Sequence, residues 1–367
     1  MHPSREPTSR QPQRSAPRPH HARPDAPTSQ HSFADLLAPA LKRREGLIAQ
    51  AHTKAFRAFS GAADGLDGVF VDVYGEGATL IVYEGRPPAR FMPEQEAQAV
   101  LRTLAPLGVK AVYLKPFARD RSRMGGVLPE VVTSPTPAAG VVLAESFAVR
   151  EHGWNLEVRL YDGLSTGLFL DQRDNRAWAH HFAKERISKA GAATPPSVLN
   201  TFAYTCAFSV AAAMGGAVTT SVDVSARYLD WGKRNFTLNG LDSAQHRFAK
   251  MDTFEFFAYA RRKQLAYDLI ILDPPSFATG NKKKGVRAWS AVSHYSNLVY
   301  EAAGLLRPGG TIFASTNTQE LCRPGKFERE IEKGLGDEPR WVRLPPAPAD
   351  FARDRERFFA RAFVPKG

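Results

Sequence analysis

The sequence predicts an α/β protein, a Rossmann-like and mainly parallel doubly wound sheet over residues 151–367, preceded by a small α+β domain over 32–150. Three observations predict it. Beyond about residue 150, short apolar strands alternate with helical stretches, the pattern of a parallel sheet covered on both faces. From about residue 55 to 114 the strands are instead separated by Gly- and Asp-bearing turns, as in antiparallel hairpins. Residues 1–31 hold Pro, Arg, Ser, Gln and His with scarcely an apolar side chain, too little to offset the entropy of ordering, and read as a disordered basic tail.

In chain order, the first expected element is a helix from Phe33 to about Gln50, where apolar residues recur at helical spacing. Ala55 to Phe59 and the alternating run Val69 to Tyr74 flank the turn Asp64-Gly65-Leu66-Asp67-Gly68 as a hairpin. A further strand pair, a helix near 93–105 and the strand Ala111 to Leu114 complete the small domain. Lys115, Arg119, Arg121 and Arg123 then make a basic loop, either a solvated turn or a contact for an anionic partner. The tail has the same two readings, a solubilising extension or a source of phosphate contacts.

Ser197-Val198-Leu199-Asn200-Thr201-Phe202 is a short apolar strand, followed by a helix from about Cys206 to Met214 that ends at Gly215-Gly216. The next strand, Ala217 to Val222, stops at Asp223, with Ser225 as a helix N-cap. In doubly wound folds an adenosine-bearing cofactor lies across the carboxyl ends of such strands, and an acid after the second accepts hydrogen bonds from ribose hydroxyls. Asp223 stands in that place. A third strand, His246 to Lys250, ends before Asp252, which is placed to accept from an adenine amino group. A helix from Thr253 to Arg262 leads to Tyr267 to Leu272, nearly all apolar, as a central parallel strand requires. Leu305 to Gly310 is expected to end a helix and turn into a fifth strand, Thr311 to Ser315. This order is that of a class I methyltransferase. A nicotinamide-dependent dehydrogenase shares the topology, but the first turn lacks the G-x-G-x-x-G that carries a pyrophosphate, and S-adenosylmethionine has no phosphate.

The fourth strand runs into Asp273-Pro274-Pro275-Ser276-Phe277. Two consecutive prolines donate no backbone hydrogen bond and leave the sheet in extended form, so Pro274 and Pro275 make a rigid ledge. Such a ledge aims Asp273 and nearby carbonyl oxygens at a flat base edge, while Phe277 stacks on the ring. Asp273, Pro274, Pro275 and Phe277 are the candidate catalytic residues. Methyl transfer is an in-line displacement in which alignment supplies much of the acceleration, on the order of 7 kcal/mol.

The chain of 367 residues, 43% hydrophobic, has room for a catalytic core and one smaller domain. Its formal charge of +12 implies an anionic partner, with nucleic acid ahead of an acidic membrane surface. No stretch approaches the roughly 18 uncharged apolar residues that span a bilayer, and no secretory signal opens the chain, so a cytoplasmic location is expected. Two cysteines, Cys206 and Cys322, supply neither a disulfide framework nor a metal cluster, and no metal is expected.

From about His52 onward these residues resemble the bacterial 23S ribosomal RNA methyltransferases that make 5-methylcytosine and, in a related branch, N7-methylguanine. Ala55 to Tyr74 is similar to the small β-rich domain of the cytosine branch. Ser165 to Arg173 resembles the family's motif at the mouth of the cofactor pocket, which implies cofactor roles for Asp171 and Arg173. Leu199 to Thr205 resembles its cofactor loop, implying that Asn200, Phe202, Tyr204 and Thr205 line the pocket, with Asp223 on ribose, Asp252 near adenine and Asp273 beside the base and the methyl donor. Thr219 to Ser225, with Tyr228, Leu229 and Trp231, and the closing Leu344-Pro345-Pro346 and Asp350 to Arg353 are similar to the N7-guanine branch.

Many relatives have a Gly pair where this chain has Cys206-Ala207, so the backbone approach to the cofactor differs there. Cytosine C5 is a poor nucleophile and requires a thiolate that adds to the ring. The cytosine branch carries that cysteine close to the position of Ser315, within a segment resembling Phe313-Ala314-Ser315-Thr316-Asn317, and here there is none. Asn317 is either a turn residue or a contact for the base edge. The resemblance implies an S-adenosylmethionine-dependent methylation of RNA, 23S rRNA being the expected substrate, with guanine N7 preferred over cytosine C5 and over a substrate other than RNA. The extra RNA-binding modules of both branches have no counterpart expected in this chain, and its oligomeric state is not given by the sequence.

Overall fold

Ser32 opens the first helix, α1 (Phe33–Arg43), through a reciprocal box in which its hydroxyl accepts the Asp35 N–H and the Asp35 carboxylate accepts the Ser32 N–H. Phe33, Leu37 and Ala40, one face of the helix, are buried. The single helix expected to reach Gln50 is broken at Arg44, and α2 (Glu45–Ile48) follows as a separate turn. Arg44 leaves the helical path because its side chain turns inward to Asp64 at 2.6 Å and to the Ala40 carbonyl at 2.8 Å.

The computed structural model describes residues 32–118, 128–189, 194–278, 280, 288–353 and 358–366. Strands β1 (Ala55–Ser60), β2 (Val69–Tyr74) and β3 (Gly77–Tyr83) run antiparallel in succession. Helix α3 (Pro93–Leu104) then crosses back to β4 (Ala111–Phe117), which is parallel to β3 and pairs with the short β5 (Ala139–Gly140). Instead of the further strand pair expected here, a single strand, β3, has an antiparallel neighbour on one side and a parallel one on the other. The crossover helix explains this, because parallel strands need a connection long enough to return. Alternation divides the sheet: Val71, Val73, Ala78, Leu80 and Val112 pack on α1 and α3, while Arg57, Asp72, Thr79 and Lys115 face the other way.

The hairpin of β6 (Phe147–Glu151) and β7 (Trp154–Val158) leads to α4 (Arg173–Lys189) and the larger sheet. This consists of β8 (Ser197–Thr201), α5 (Ala207–Met214), β9 (Val218–Asp223), α6 (Ala226–Thr237), β10 (Arg247–Lys250), α7 (Thr253–Arg262) and β11 (Tyr267–Leu272). A two-residue strand pair, β12 (Phe277–Ala278) and β13 (Trp289–Ser290), precedes α8 (Ala291–Ala303), β14 (Leu306–Thr316), α9 (Lys326–Leu335), β15 (Arg340–Val342) and β16 (Phe359–Val364). The order is β10-β9-β8-β11-β14-β16-β15, parallel through β14 and antiparallel thereafter. Every residue of β11 is buried, as a strand covered on both faces must be.

The Pro308-Gly309-Gly310 segment does not precede the fifth strand but lies within it. Pairing with β11 jumps from Tyr267 against Leu306 to Leu269 against Thr311, and Gly309 takes a φ of +71°, so the intervening residues bulge out of the ladder. The order in which strands are laid down reverses between the parallel neighbours β8 and β11, whose carboxyl ends form the crevice where such folds bind ligands.

Candidate active site

A cavity of about 900 Å³ lies between the face of the small sheet that bears Arg57, Asp72, Thr79 and Lys115 and the carboxyl ends of β8, β9 and β11. Its floor is the turn after β8. Phe202, Tyr204 and Cys206 alternate with φ values of +53°, +48° and +62°, a left-handed conformation that costs of order 1 kcal/mol or more at each non-glycine residue. Surrounding groups hold it in place. The Asp223 carboxylate accepts the Tyr204 N–H at 2.9 Å, the Asn235 amide donates to the Thr205 carbonyl at 2.9 Å, and the Thr205 hydroxyl donates to the Gly167 carbonyl at 2.6 Å. Gly232 is needed for the same reason, since a Cβ there would sit 2.4 Å from the Cys206 Sγ.

Asp223 ends β9 with one oxygen on the Tyr204 N–H and the other on the Ser225 N–H, at 2.9 and 2.8 Å. Burial raises its pKa, and those two N–H groups oppose the rise. Each oxygen keeps a lone pair for a hydroxyl donor. Asp252 caps α7 through the Phe254 N–H at 2.9 Å and also lines the cavity, beside the rings of Phe202 and Phe254.

A second pair of acids, Asp171 and Asp273, stands deeper in the cavity. Burial pushes Asp273 up to about 6 despite a 2.6 Å hydrogen bond from the Ser315 hydroxyl, and the Asp171 carboxylate raises it further. Asp171 is itself raised by burial, against the attraction of Arg57 and Arg176. Gln172 steadies this corner by donating to Ser315 at 3.1 Å. The ledge is fastened from behind: the Trp289 indole N–H donates to the Pro275 carbonyl at 2.7 Å, and the Tyr295 hydroxyl donates to the Leu272 and Ser315 carbonyls. Phe277, 68% exposed, projects from the ledge at the cavity rim, and the Ser276 hydroxyl donates to Asn317.

A sequence profile of the S-adenosylmethionine-dependent methyltransferases matches residues 92–331. The chain belongs to that family. The Bacillus subtilis (strain 168) protein YwbD, provisionally named a ribosomal RNA large subunit methyltransferase, is 38% identical over 287 residues, 78% of this chain and 66% of that one. The ribosomal RNA large subunit methyltransferase K/L of Alteromonas mediterranea is 33% identical over 331 residues, 88% of this chain and 42% of that one. The chain thus spans just under two thirds of the first relative and about two fifths of the second. Among solved structures, SMU.776, provisionally named a methyltransferase and complexed with SAH, superposes with a TM-score of 0.73 at 32% identity, covering 90% of this chain and 80% of that one.

The residues fit S-adenosylmethionine. The cavity is at the upper end of the roughly 300–1,000 Å³ typical of ligand sites, enough for a cofactor beside a base. Its strained turn curves around an open space, with acids at both ends and aromatic faces between.

Of the residues singled out from the sequence, Asp171, Phe202, Tyr204, Asp223 and Asp252 line the cavity, as do Asp273, Pro274, Pro275 and Phe277. Three do not. Arg173 is buried in a two-pronged ion pair with Asp350, at 2.5 and 3.1 Å. Asn200 lies within β8 and donates to the Ser209 hydroxyl at 2.9 Å. Thr205 spends its hydroxyl on Gly167. Each sits one layer behind the wall because strand alternation or the turn's left-handed steps point it inward. Lys115 is also corrected: it belongs to β4, is 1% exposed and donates to the Gly163 carbonyl, while Arg119, Arg121 and Arg123 lie outside the described residues. Sequence reasoning missed Gln172, Trp289 and Tyr295 as supports; an indole two residues before a helix start gives no local signal of whose carbonyl it meets.

Burial pushes the Cys206 thiol up to about 12 and Cys322 up to about 11, and neither lines the cavity. Among the described residues no group of His, Cys, Asp and Glu could hold a metal, and no helix is long and apolar enough to cross a membrane.

Proposed function

We propose that this chain methylates a base of RNA, in 23S ribosomal RNA, at guanine N7. S-adenosylmethionine supplies a methyl group made electrophilic by its sulfonium charge. In this reading Asp223 accepts the ribose hydroxyls, Asp252 receives the adenine amino group, and Phe202 and Phe254 flank the adenine ring. Residues 32–150 form the substrate-side domain, and Pro274 and Pro275 fix the height at which the acceptor base meets the methyl group. Phe277 stacks on the base.

The observation that carries the choice of atom is the chemistry of the deep corner, two carboxylates and no thiol. Guanine N7 has an in-plane lone pair and no proton to lose, so it requires neither covalent activation nor a base. Its methylation leaves a positive charge on the ring, which Asp171 and Asp273 stabilise at close range. Cytosine C5 requires a thiolate, and both thiols here are protonated and off the cavity. The relatives' names, ribosomal RNA large subunit methyltransferases, support the class of substrate.

The test supplies purified protein with labelled S-adenosylmethionine and unmodified ribosomal RNA, then identifies the labelled nucleoside after digestion. N7-methylguanosine is expected. Label in 5-methylcytidine that disappears in Cys322→Ala would overturn the choice of atom, and label in protein or small molecules that is insensitive to removing RNA would overturn the substrate class.

A further inference from the structure

The side of the small sheet that faces the cavity carries two donor side chains whose capacity the contacts among the described residues do not exhaust. In-register pairing aligns Asp72 with Thr79, and Phe70 with Ile81 and Lys115, on one face. The Asp72 carboxylate is held by the Arg57 guanidinium, at 2.7 and 3.0 Å. The Thr79 hydroxyl is different. It is buried, on a residue 1% exposed at the cavity wall, and has no hydrogen-bond partner among the described residues. An orphaned buried hydroxyl is costly enough that native proteins seldom keep one without a ligand or water to meet it. Lys115, on the neighbouring strand, gives one of its three donors to the Gly163 carbonyl and lines the same cavity. Burial lowers its pKa to about 8, so it still carries a proton at neutral pH.

We propose that this face is the acceptor wall of the active site, with the Lys115 ammonium and the Thr79 hydroxyl holding the carbonyl oxygen of the base to be methylated. The inference rests on the reading of the protein as an RNA base methyltransferase. Guanine presents O6 as an acceptor beside N7, whereas adenine and cytosine present an amino donor in the matching position. The ammonium can only donate, so it admits guanine and meets a like donor in the other two bases, while the hydroxyl adds a second donor to O6. The stacked rings of Tyr83 and Phe117, 5.0 Å apart, continue the wall outward and give the next nucleotide a flat surface.

The experiment compares Lys115→Met and Thr79→Val with the wild-type chain on unmodified ribosomal RNA, reading KM for RNA, its salt dependence, and the dissociation constant of S-adenosylhomocysteine. Thr79→Val keeps the side chain's shape and guards against a folding failure in the lysine variant. Lys115→Met is expected to raise KM about ten- to a hundredfold and Thr79→Val about three- to tenfold, as for lost hydrogen bonds to a charged and a neutral donor. S-adenosylhomocysteine binding and the salt slope stay at wild-type values. Wild-type KM in Thr79→Val overturns the wall, as does weaker S-adenosylhomocysteine binding in step with KM, which would assign the donors to the cofactor. A salt slope reduced by about one in Lys115→Met would make its partner a phosphate and overturn base recognition. A wild-type chain that labels no RNA removes the proposed function and the wall together, whereas labelled RNA with unchanged variants removes the wall alone.

Discussion

Replacing Asp273 by Asn is expected to make the protein more stable and inactive. The carboxyl of Asp273 is held near 6 in the folded chain against 3.8 unfolded, chiefly because burial penalises its charge. A raised acid binds its proton more tightly when folded. Its contribution is therefore fully present below pH 3.8 and is lost as pH climbs through about 6. The interval corresponds to as much as about 3 kcal/mol at neutral pH. Asn carries no charge to bury, and its carbonyl oxygen can still accept the Ser315 hydroxyl that Asp273 now accepts at 2.6 Å. Urea unfolding of both proteins at pH 5, 6, 7 and 8, followed by tryptophan fluorescence, should show the variant ahead by up to about 3 kcal/mol at pH 8, with the gap closing toward pH 5. Methyl transfer should fall by about a hundredfold or more, since the variant cannot neutralise a charged ring. A gap independent of pH, or a variant less stable at pH 8, would refute the reasoning.

Three other substitutions separate the layers of the site. Arg173→Ala removes one partner of a buried ion pair and should cost about 3–5 kcal/mol in unfolding free energy, with S-adenosylhomocysteine binding intact in the fraction that folds. Gly167→Ala places a methyl group 2.3 Å from the Trp231 ring at a φ of +97°, and should lower stability by about 2 kcal/mol while weakening S-adenosylhomocysteine binding measured by calorimetry. Cys322→Ser should retain methylation rates within about twofold, because no thiolate takes part; a loss beyond about a hundredfold would restore covalent chemistry.

The strands and helices that build the larger sheet were legible because each announces itself locally. Tyr267 to Leu272 is apolar but for Asp268, Ser225 caps a helix, and Asp223 closes a strand, and all three stand where the spacing puts them. What the sequence hid depends on partners far along the chain. Arg173 has the look of a cofactor ligand until Asp350, remote in sequence, takes it. The bulge at Gly309 and the antiparallel pair β15 and β16 are set by the ladder they join and not by their own residues. Lys115 was read as a loop cation because charge suggests solvent, whereas a long stem lets the ammonium reach a buried carbonyl.

Asp350 also bears on the order in which the protein acquires its site. Its carboxylate accepts the backbone N–H of Arg57, 293 residues away, and the guanidinium of Arg173, 177 residues away, while its own carbonyl lies 3.5 Å from Arg44. Contacts of such separation close large loops, and chains that depend on them fold slowly. The small sheet can form from near neighbours early during synthesis, but the clasp that fixes it against the larger sheet must wait until Asp350 has emerged. Until then Arg173 is without the carboxylate that holds it, whereas Arg44 already has Asp64 inside the small domain.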